Sequence, residues 1–184
     1  MARLLTIGHG TMEQPDLAGL LSGAGAQRLV DVRRYPGSRR HPHVAREVLQ
    51  QWLPDVGVAY RWAEDLGGRR GVPSDSPDQA LRNASFRGYA AHMRTPAFTA
   101  ALQAVLADAE QATTAVLCSE SLWWRCHRRL LADAAVLLHG AEVVHLLQNG
   151  RLTPHGPTDG VRRDGDRLVY DVDDRVSQPS LSLG

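Results

Sequence analysis

Short apolar runs alternate along the chain with longer segments whose apolar residues recur at helical spacing. The short runs predict buried strands over 3–8, 28–36, 58–64, 113–120 and 141–147. The longer segments predict helices over 14–26, 44–57, 86–111 and 121–140. The third helix is interrupted before Pro96, where Thr95 is placed to cap a new helix.

Strands that alternate with helices of this length favour a parallel sheet covered on both faces. We therefore predict an α/β domain over 1–147, with a mostly parallel, Rossmann-like sheet of about five strands and helices on both faces. Beyond 147 the pattern changes, because Asn-Gly and Asp-Gly dipeptides typical of hairpin turns flank short alternating segments. We predict a small β-hairpin appendage over 148–176 and a disordered tail over 177–184.

Composition places the chain among ordinary globular proteins, since 43% of its 184 residues are hydrophobic and 22% are charged. No apolar run approaches the ~20 residues that a membrane-spanning helix needs. The first residues lack the apolar region and cleavage site of a signal peptide. We therefore expect a cytoplasmic protein without a membrane partner, whose two cysteines are thiols rather than a disulfide.

The basic residues are more informative than the net charge of +1, because all 21 of them are arginines. Many of these arginines fall within three short stretches, at 33–40, 69–70 and 125–129. Guanidinium groups suit the oxygens of phosphate and carboxylate. If the stretches meet in the fold, they form a positive surface for an anionic ligand.

Chemically versatile residues follow several predicted strands. His9 ends the first strand, Asp31 and Arg33 end the second, and Cys118 with Glu120 ends the fourth. Ligands of open α/β sheets bind beyond the carboxyl ends of the strands. We therefore predict a polar crevice in which His9, Cys118 and Glu120 are the candidate catalytic residues.

The sequence allows two interpretations of Cys118. It enters a loop that feeds a helix, where helix-start N–H groups would favour a thiolate nucleophile. The spacing from Cys118 to Arg125 is one residue longer than in the similar loops of phosphatases and sulfurtransferases. Alternatively, Cys118 is a small buried hydrophobe.

The segment around Cys126 predicts further ligand-binding groups. Cys126, His127 and Arg128 are expected in the first turns of the helix, with Cys126 packed inward and Arg125 sharing a face with Arg128. A Cys/His zinc site is conceivable, but the spacing matches no compact zinc module, so we assign no metal ligand. The candidate substrate-binding residues are Asp31, Arg33, Arg39, Arg40, Arg125, His127 and Arg128.

Six motifs in a fixed order link the chain to a known family: "TIGHG", "LVDVRRYPGSRR", "DLGGRRG", "RNASFRGYAAHM", "VLCSE" and "WRCHRRLLADA". Together they resemble the bacterial and archaeal domain-of-unknown-function family 488, over about residues 3–147. The resemblance implies a compact α/β domain whose motif residues meet in space. It implies no particular reaction.

Three functional hypotheses follow. In the first, the protein is an enzyme or binder for a phosphate-bearing substrate, such as a nucleotide or nucleic acid, and hydrolysis is one reaction that would fit. In the second, Cys118 performs redox or nucleophilic chemistry. In the third, the protein is a non-catalytic metal- or nucleic-acid-binding module. The sequence indicates no particular cofactor.

Overall fold

The computed structural model describes residues 1–172. Its strands are β1 (Arg3–Gly8), β2 (Arg28–Asp31), β3 (Ala59–Trp62), β4 (Thr114–Cys118), β5 (Glu142–Leu146), β6 (Leu152–Pro154), β7 (Val161–Asp164) and β8 (Arg167–Tyr170). Its α-helices are α1 (Gln14–Gly23), α2 (Arg46–Trp52), α3 (Ala84–Met93), α4 (Pro96–Gln111) and α5 (Arg128–His139). The predicted α/β fold is confirmed.

A six-stranded sheet with the order β3-β2-β4-β1-β5-β6 forms the centre of the molecule. All of its pairings are parallel except that between β5 and β6. The register pairs Gly8 of β1 with Cys118 of β4, and Asp31 of β2 with Leu117 of β4. The residues that follow these three strands therefore emerge side by side at one edge of the sheet.

Helices cover both faces of the sheet, as predicted. Alternate side chains of a strand point to opposite faces, so Leu4 and Leu5 belong to different core clusters. The cluster that contains Leu4 includes buried residues of α3, α4 and α5, and the cluster that contains Leu5 includes Leu17 of α1 and Leu49 of α2. This burial on both faces explains why the central strands are almost uninterrupted apolar runs.

The helix predicted over 121–140 begins later than expected. The structure has a 3₁₀ turn at Trp123–Arg125, extended backbone at Cys126, and a helix only from Arg128. Trp123 stacks on His145 of β5, with ring centroids 3.9 Å apart, and this tertiary contact fixes the turn ahead of the helix. The expectation that Cys126, His127 and Arg128 share the first turns of a helix is therefore wrong.

Thr95 caps α4 as predicted, accepting a hydrogen bond from the backbone N–H of Phe98 at 3.3 Å. A small C-terminal antiparallel sheet, β7–β8, is also confirmed. Strand β6, which falls within the predicted appendage, instead pairs with β5 and extends the main sheet. Leu168 and Tyr170 of β8 pack into the core beside α3 and α5. The tail predicted over 177–184 lies outside the described residues.

Candidate functional site

A cavity of about 490 Å³ opens at the carboxyl ends of β1, β2 and β4. We call it the arginine cavity, because Arg33, Arg34, Arg69 and Arg125 line it, while Glu120 is the one carboxylate that lines it among residues 1–172. These arginines come from all three arginine-rich stretches of the sequence. Six of the candidate residues line the cavity, namely His9, Arg33, Cys118, Glu120, Arg125 and His127.

Asp31 fixes Arg33 in one orientation. The fully buried carboxylate of Asp31 accepts hydrogen bonds from Arg33 Nε at 2.8 Å and Nη2 at 2.6 Å. Tyr60 donates its hydroxyl to the same carboxylate at 2.8 Å. Burial opposes the charge, but the hydrogen bonds to Asp31 raise the pKa of Arg33 above its ordinary value. Arg33 is therefore a permanent cation, with Asp31 as its positioning residue and not part of the cavity wall.

His9 lies beside Arg33 and is neutral. Its Nδ1 is 2.9 Å from the carbonyl of Gly10, so this nitrogen carries the proton and Nε2 keeps its lone pair. Nε2 is 3.4 Å from Arg33 Nη1. Burial and the charge of Arg33 lower the pKa of His9 to about 4. At neutral pH His9 is thus a hydrogen-bond acceptor rather than an acid.

Cys118, Cys126 and His127 meet at one side of the cavity. His127 Nδ1 is 3.9 Å from the Cys118 sulfur and 3.7 Å from the Cys126 sulfur. The hydrogen bond with Cys126 and burial raise the pKa of Cys118 to about 12. Burial disfavours a thiolate at Cys126, but the hydrogen bond from Cys118 and the charge of Arg128 lower its pKa to about 6. The thiolate is therefore favoured at Cys126, the cysteine that the sequence assigned to packing.

Arg128 does not line the cavity. It is 1% exposed, and its guanidinium donates to the carbonyl oxygen of Glu120 and to the Cys126 sulfur, the latter at 3.4 Å. These bonds hold the segment between β4 and α5 against the sheet. The expected shared face with Arg125 does not occur, because Arg125 precedes the helix and is exposed.

The remaining candidates lie at or beyond the edge of the cavity. Glu120 is exposed, and its carboxylate accepts the backbone N–H of Leu122 at 3.1 Å. Arg39 and Arg40 are exposed and lie outside the lining of the cavity. The neighbouring Ser38 does line it, so the loop that carries the two arginines approaches the site without bringing them in.

Several lining residues were not among the candidates: Arg34, Arg69, Asn83, Ser85, Phe86 and Cys126. Two of the quoted motifs, "DLGGRRG" and "RNASFRGYAAHM", contain four of them, so the signal was present in the motif set. Arg34 donates its Nη1 to the carbonyl of Arg69 at 2.7 Å, which joins two of the arginine-rich stretches. A Cβ at Gly68 would lie 2.9 Å from His127 Nδ1, so glycine allows this loop to approach closely.

Comparison with known families decides the assignment. The sequence model described as "Domain of unknown function DUF488" matches residues 15–135, well over half of the chain. The chain belongs to the DUF488 family. Within the matched range lie Asp31, Arg33, Cys118, Cys126 and His127, whereas β1, the adjoining His9, and β5 lie outside it.

No curated protein and no solved structure matches the chain. DUF488 membership supplies no ligand or reaction for this chain. Among the described residues, no helix is both long enough and apolar enough to cross a membrane.

Proposed function

We propose that the arginine cavity binds a small phosphate-bearing ligand, such as a nucleotide, and that hydrolysis of this ligand is the reaction of the protein. The observation that carries the proposal is the convergence of four arginines from three separate segments on a cavity whose described lining holds a single carboxylate. Guanidinium groups pair with phosphate oxygens in bidentate geometry, and such charge-assisted hydrogen bonds are stronger than neutral ones.

The size of the cavity favours a small ligand over a nucleic-acid duplex. Its volume of about 490 Å³ falls in the range of small-molecule sites. Phe86 and Tyr35 supply aromatic surface, which suits a nucleobase. The side chains of Asn83 and Ser85, at the start of α3, supply neutral hydrogen-bonding groups beside the arginines. A nucleotide offers a phosphate to the arginines, a base to the aromatic surface and polar groups to Asn83 and Ser85.

The proposed roles follow from charge and protonation. Arg33, held by Asp31, stabilises negative charge on the phosphate, and the exposed Arg69 and Arg125 capture the ligand. Glu120, at the rim, is the candidate acid–base group. Neutral His9 accepts from Arg33 Nη1 through Nε2 and so helps to position that guanidinium. Cys118 is disfavoured as a nucleophile, because the hydrogen bond with Cys126 and burial raise its pKa to about 12.

Arg69→Ala and Arg125→Ala test the proposal without disturbing the buried network, because both side chains are exposed. Calorimetric titration with nucleoside monophosphates and inorganic phosphate should show affinity about 10- to 100-fold weaker in each variant. The matched control is Arg167→Ala, an exposed arginine on β8. Equal affinities in the control and in both cavity variants, for a ligand that the wild type binds, would contradict the proposal.

A further inference from the structure

Two thiols and one imidazole form a compact cluster in the wall of the arginine cavity. The sulfurs of Cys118 and Cys126 and the Nδ1 of His127 all lie within 4.8 Å of one another. Cys118 ends β4, whereas Cys126 and His127 precede α5, so the fold brings the three ligand-type atoms together from two separate positions. Both cysteines are buried and neither is in a disulfide.

The two nitrogen-to-sulfur distances are close to those of a tetrahedral metal site. Zinc bonds of about 2.3 Å to sulfur and about 2.0 Å to nitrogen, at a tetrahedral angle, separate the sulfur and nitrogen ligands by about 3.5 Å. The Nδ1-to-sulfur distances here are 3.7 and 3.9 Å. Shifts of a few tenths of an ångström would therefore bring Nδ1 to the tetrahedral separation from each sulfur. The two sulfurs, which lie within 4.8 Å of each other, would close to the ~3.8 Å of a tetrahedral pair.

The imidazole is oriented as a metal ligand is. His127 Nε2 lies 3.0 Å from the carbonyl oxygen of Val32, so this nitrogen carries the proton and donates it. Nδ1 is left with a free lone pair on the side of the two sulfurs. Metal-bound histidines commonly show this arrangement, in which a backbone carbonyl fixes the tautomer and the ring orientation.

A hydrogen bond from Arg128 stabilises a thiolate at Cys126. Arg128 Nε donates to the Cys126 sulfur at 3.4 Å from the side of the α5 helix. The guanidinium is itself anchored on the Glu120 carbonyl and on Thr6, where Nη1 lies 3.5 Å from Oγ1. Hydrogen bonds of this kind to the ligands of metal sites orient those ligands and tune their basicity.

We propose that Cys118, Cys126 and His127 bind one Zn²⁺ ion with a fourth coordination position that opens into the arginine cavity. Two thiolates and an imidazole are preferred ligands of zinc, and a set of three protein ligands with an open position is characteristic of catalytic rather than structural sites. All three residues line the cavity, so a water molecule or an oxygen of the ligand can take the fourth position.

A dithiol–disulfide pair is the competing use of the two cysteines. A disulfide would not require His127. A metal ion explains both the tautomer of His127 and its position next to the two sulfurs. The spacing of eight positions between the cysteines, with the histidine next to the second, matches no compact zinc module in sequence. This is why the sequence alone led us to assign no metal ligand.

The full chain, reduced and stripped with a chelator, can be titrated with Zn²⁺ against a chromophoric competitor and separately with Co²⁺. We expect one ion per chain, the visible bands of tetrahedral Co²⁺ and an ultraviolet thiolate-to-cobalt charge-transfer band. Cys118→Ser, Cys126→Ser and His127→Asn should each weaken Zn²⁺ binding at least about 100-fold, because losing a group that only hydrogen-bonds to a metal ligand already costs about 10- to 100-fold. The matched control is His139→Asn, at the far end of α5, which should bind as the wild type does.

The wild-type Co²⁺ spectrum needs no variant, so the test holds even if a cysteine variant fails to fold. Absence of Co²⁺ and Zn²⁺ binding by the folded, reduced wild type would overturn the proposal. Equal Zn²⁺ affinity in folded His127→Asn and wild type would also overturn it. The titration uses no phosphate ligand, so its failure is distinguishable from failure of anion binding at the same cavity.

Discussion

Asp31→Asn tests how the arginine cavity is held together. The carboxylate of Asp31 accepts Arg33 Nε at 2.8 Å and Nη2 at 2.6 Å, together with the Tyr60 hydroxyl at 2.8 Å. Asparagine keeps the shape but removes the charge. Its amide N–H₂ also replaces a carboxylate oxygen that accepts hydrogen bonds, so donors that bond to that oxygen lose their acceptor. Arg33, only 6% exposed, is left as a buried cation without its counter-ion.

Removing one partner of a buried ion pair costs about 3–5 kcal/mol. Global stabilities of domains lie at about 5–15 kcal/mol, so Asp31→Asn should remove a large share of the free energy of unfolding. Urea unfolding followed by tryptophan fluorescence measures this loss. Trp62 is a suitable reporter, because its indole Nε1 donates to the Arg33 carbonyl at 2.8 Å.

The control for this experiment is Glu142→Gln. Glu142 pairs with Arg3 at 3.3 Å, but both side chains are about half exposed, at 51% and 54%. Exposed pairs contribute roughly 0.2–1 kcal/mol, so this variant should unfold close to the wild-type midpoint. If Asp31→Asn costs no more than the control, the buried pair does not anchor the cavity and our assignment of Asp31 as a positioning residue is wrong.

Three further predictions concern packing, the cysteine–histidine cluster and pH. Gly8→Ala should lower the melting temperature strongly, because its Cβ would collide with backbone of the segment after β4; an unchanged melting curve would contradict the close approach. Gly68→Ala should weaken Zn²⁺ binding at least about tenfold, because its Cβ would lie 2.9 Å from His127 Nδ1, whereas Gly71→Ala, whose Cβ meets nothing within 4 Å, should not. Burial, with the charges of His155 and Arg128, lowers the pKa of His145 from 6.5 to about 3. Between these two pH values His145 is protonated in the unfolded chain but neutral in the folded protein, which favours unfolding. The free energy of unfolding should therefore fall as the pH is lowered through this range. Urea midpoints that do not change between pH 7.5 and pH 5 would refute the lowered pKa of His145.

The strand ends were predictable from sequence because buried strands leave a strong apolar signal and polar residues mark where each strand stops. The positions of His9, Asp31 and Cys118 at one sheet edge followed directly from that signal. The late start of α5 did not, because it depends on the stacking of Trp123 on His145, which are distant in sequence.

The roles of individual arginines could not be predicted from the sequence either. Arg128 and Arg39 occur in equally basic stretches, yet one is buried behind the cavity and the other is exposed outside it. Local density indicates that a positive surface exists, but only tertiary contacts decide which guanidinium faces a ligand. The partnership of His127 with both cysteines was likewise out of reach, because it depends on the extended backbone at Cys126 and on the Val32 carbonyl.

The measurement that tests the central claim most directly is a comparison of nucleoside 5′-monophosphates with the corresponding nucleosides, by calorimetric titration into the wild-type chain. The arginine cavity should bind at least one monophosphate, bind its nucleoside at least about tenfold more weakly, and lose that difference in Arg125→Ala. Equal affinity for the monophosphate and its nucleoside across the set, or a preference that survives in Arg125→Ala and Arg69→Ala alike, would contradict phosphate recognition by this cavity.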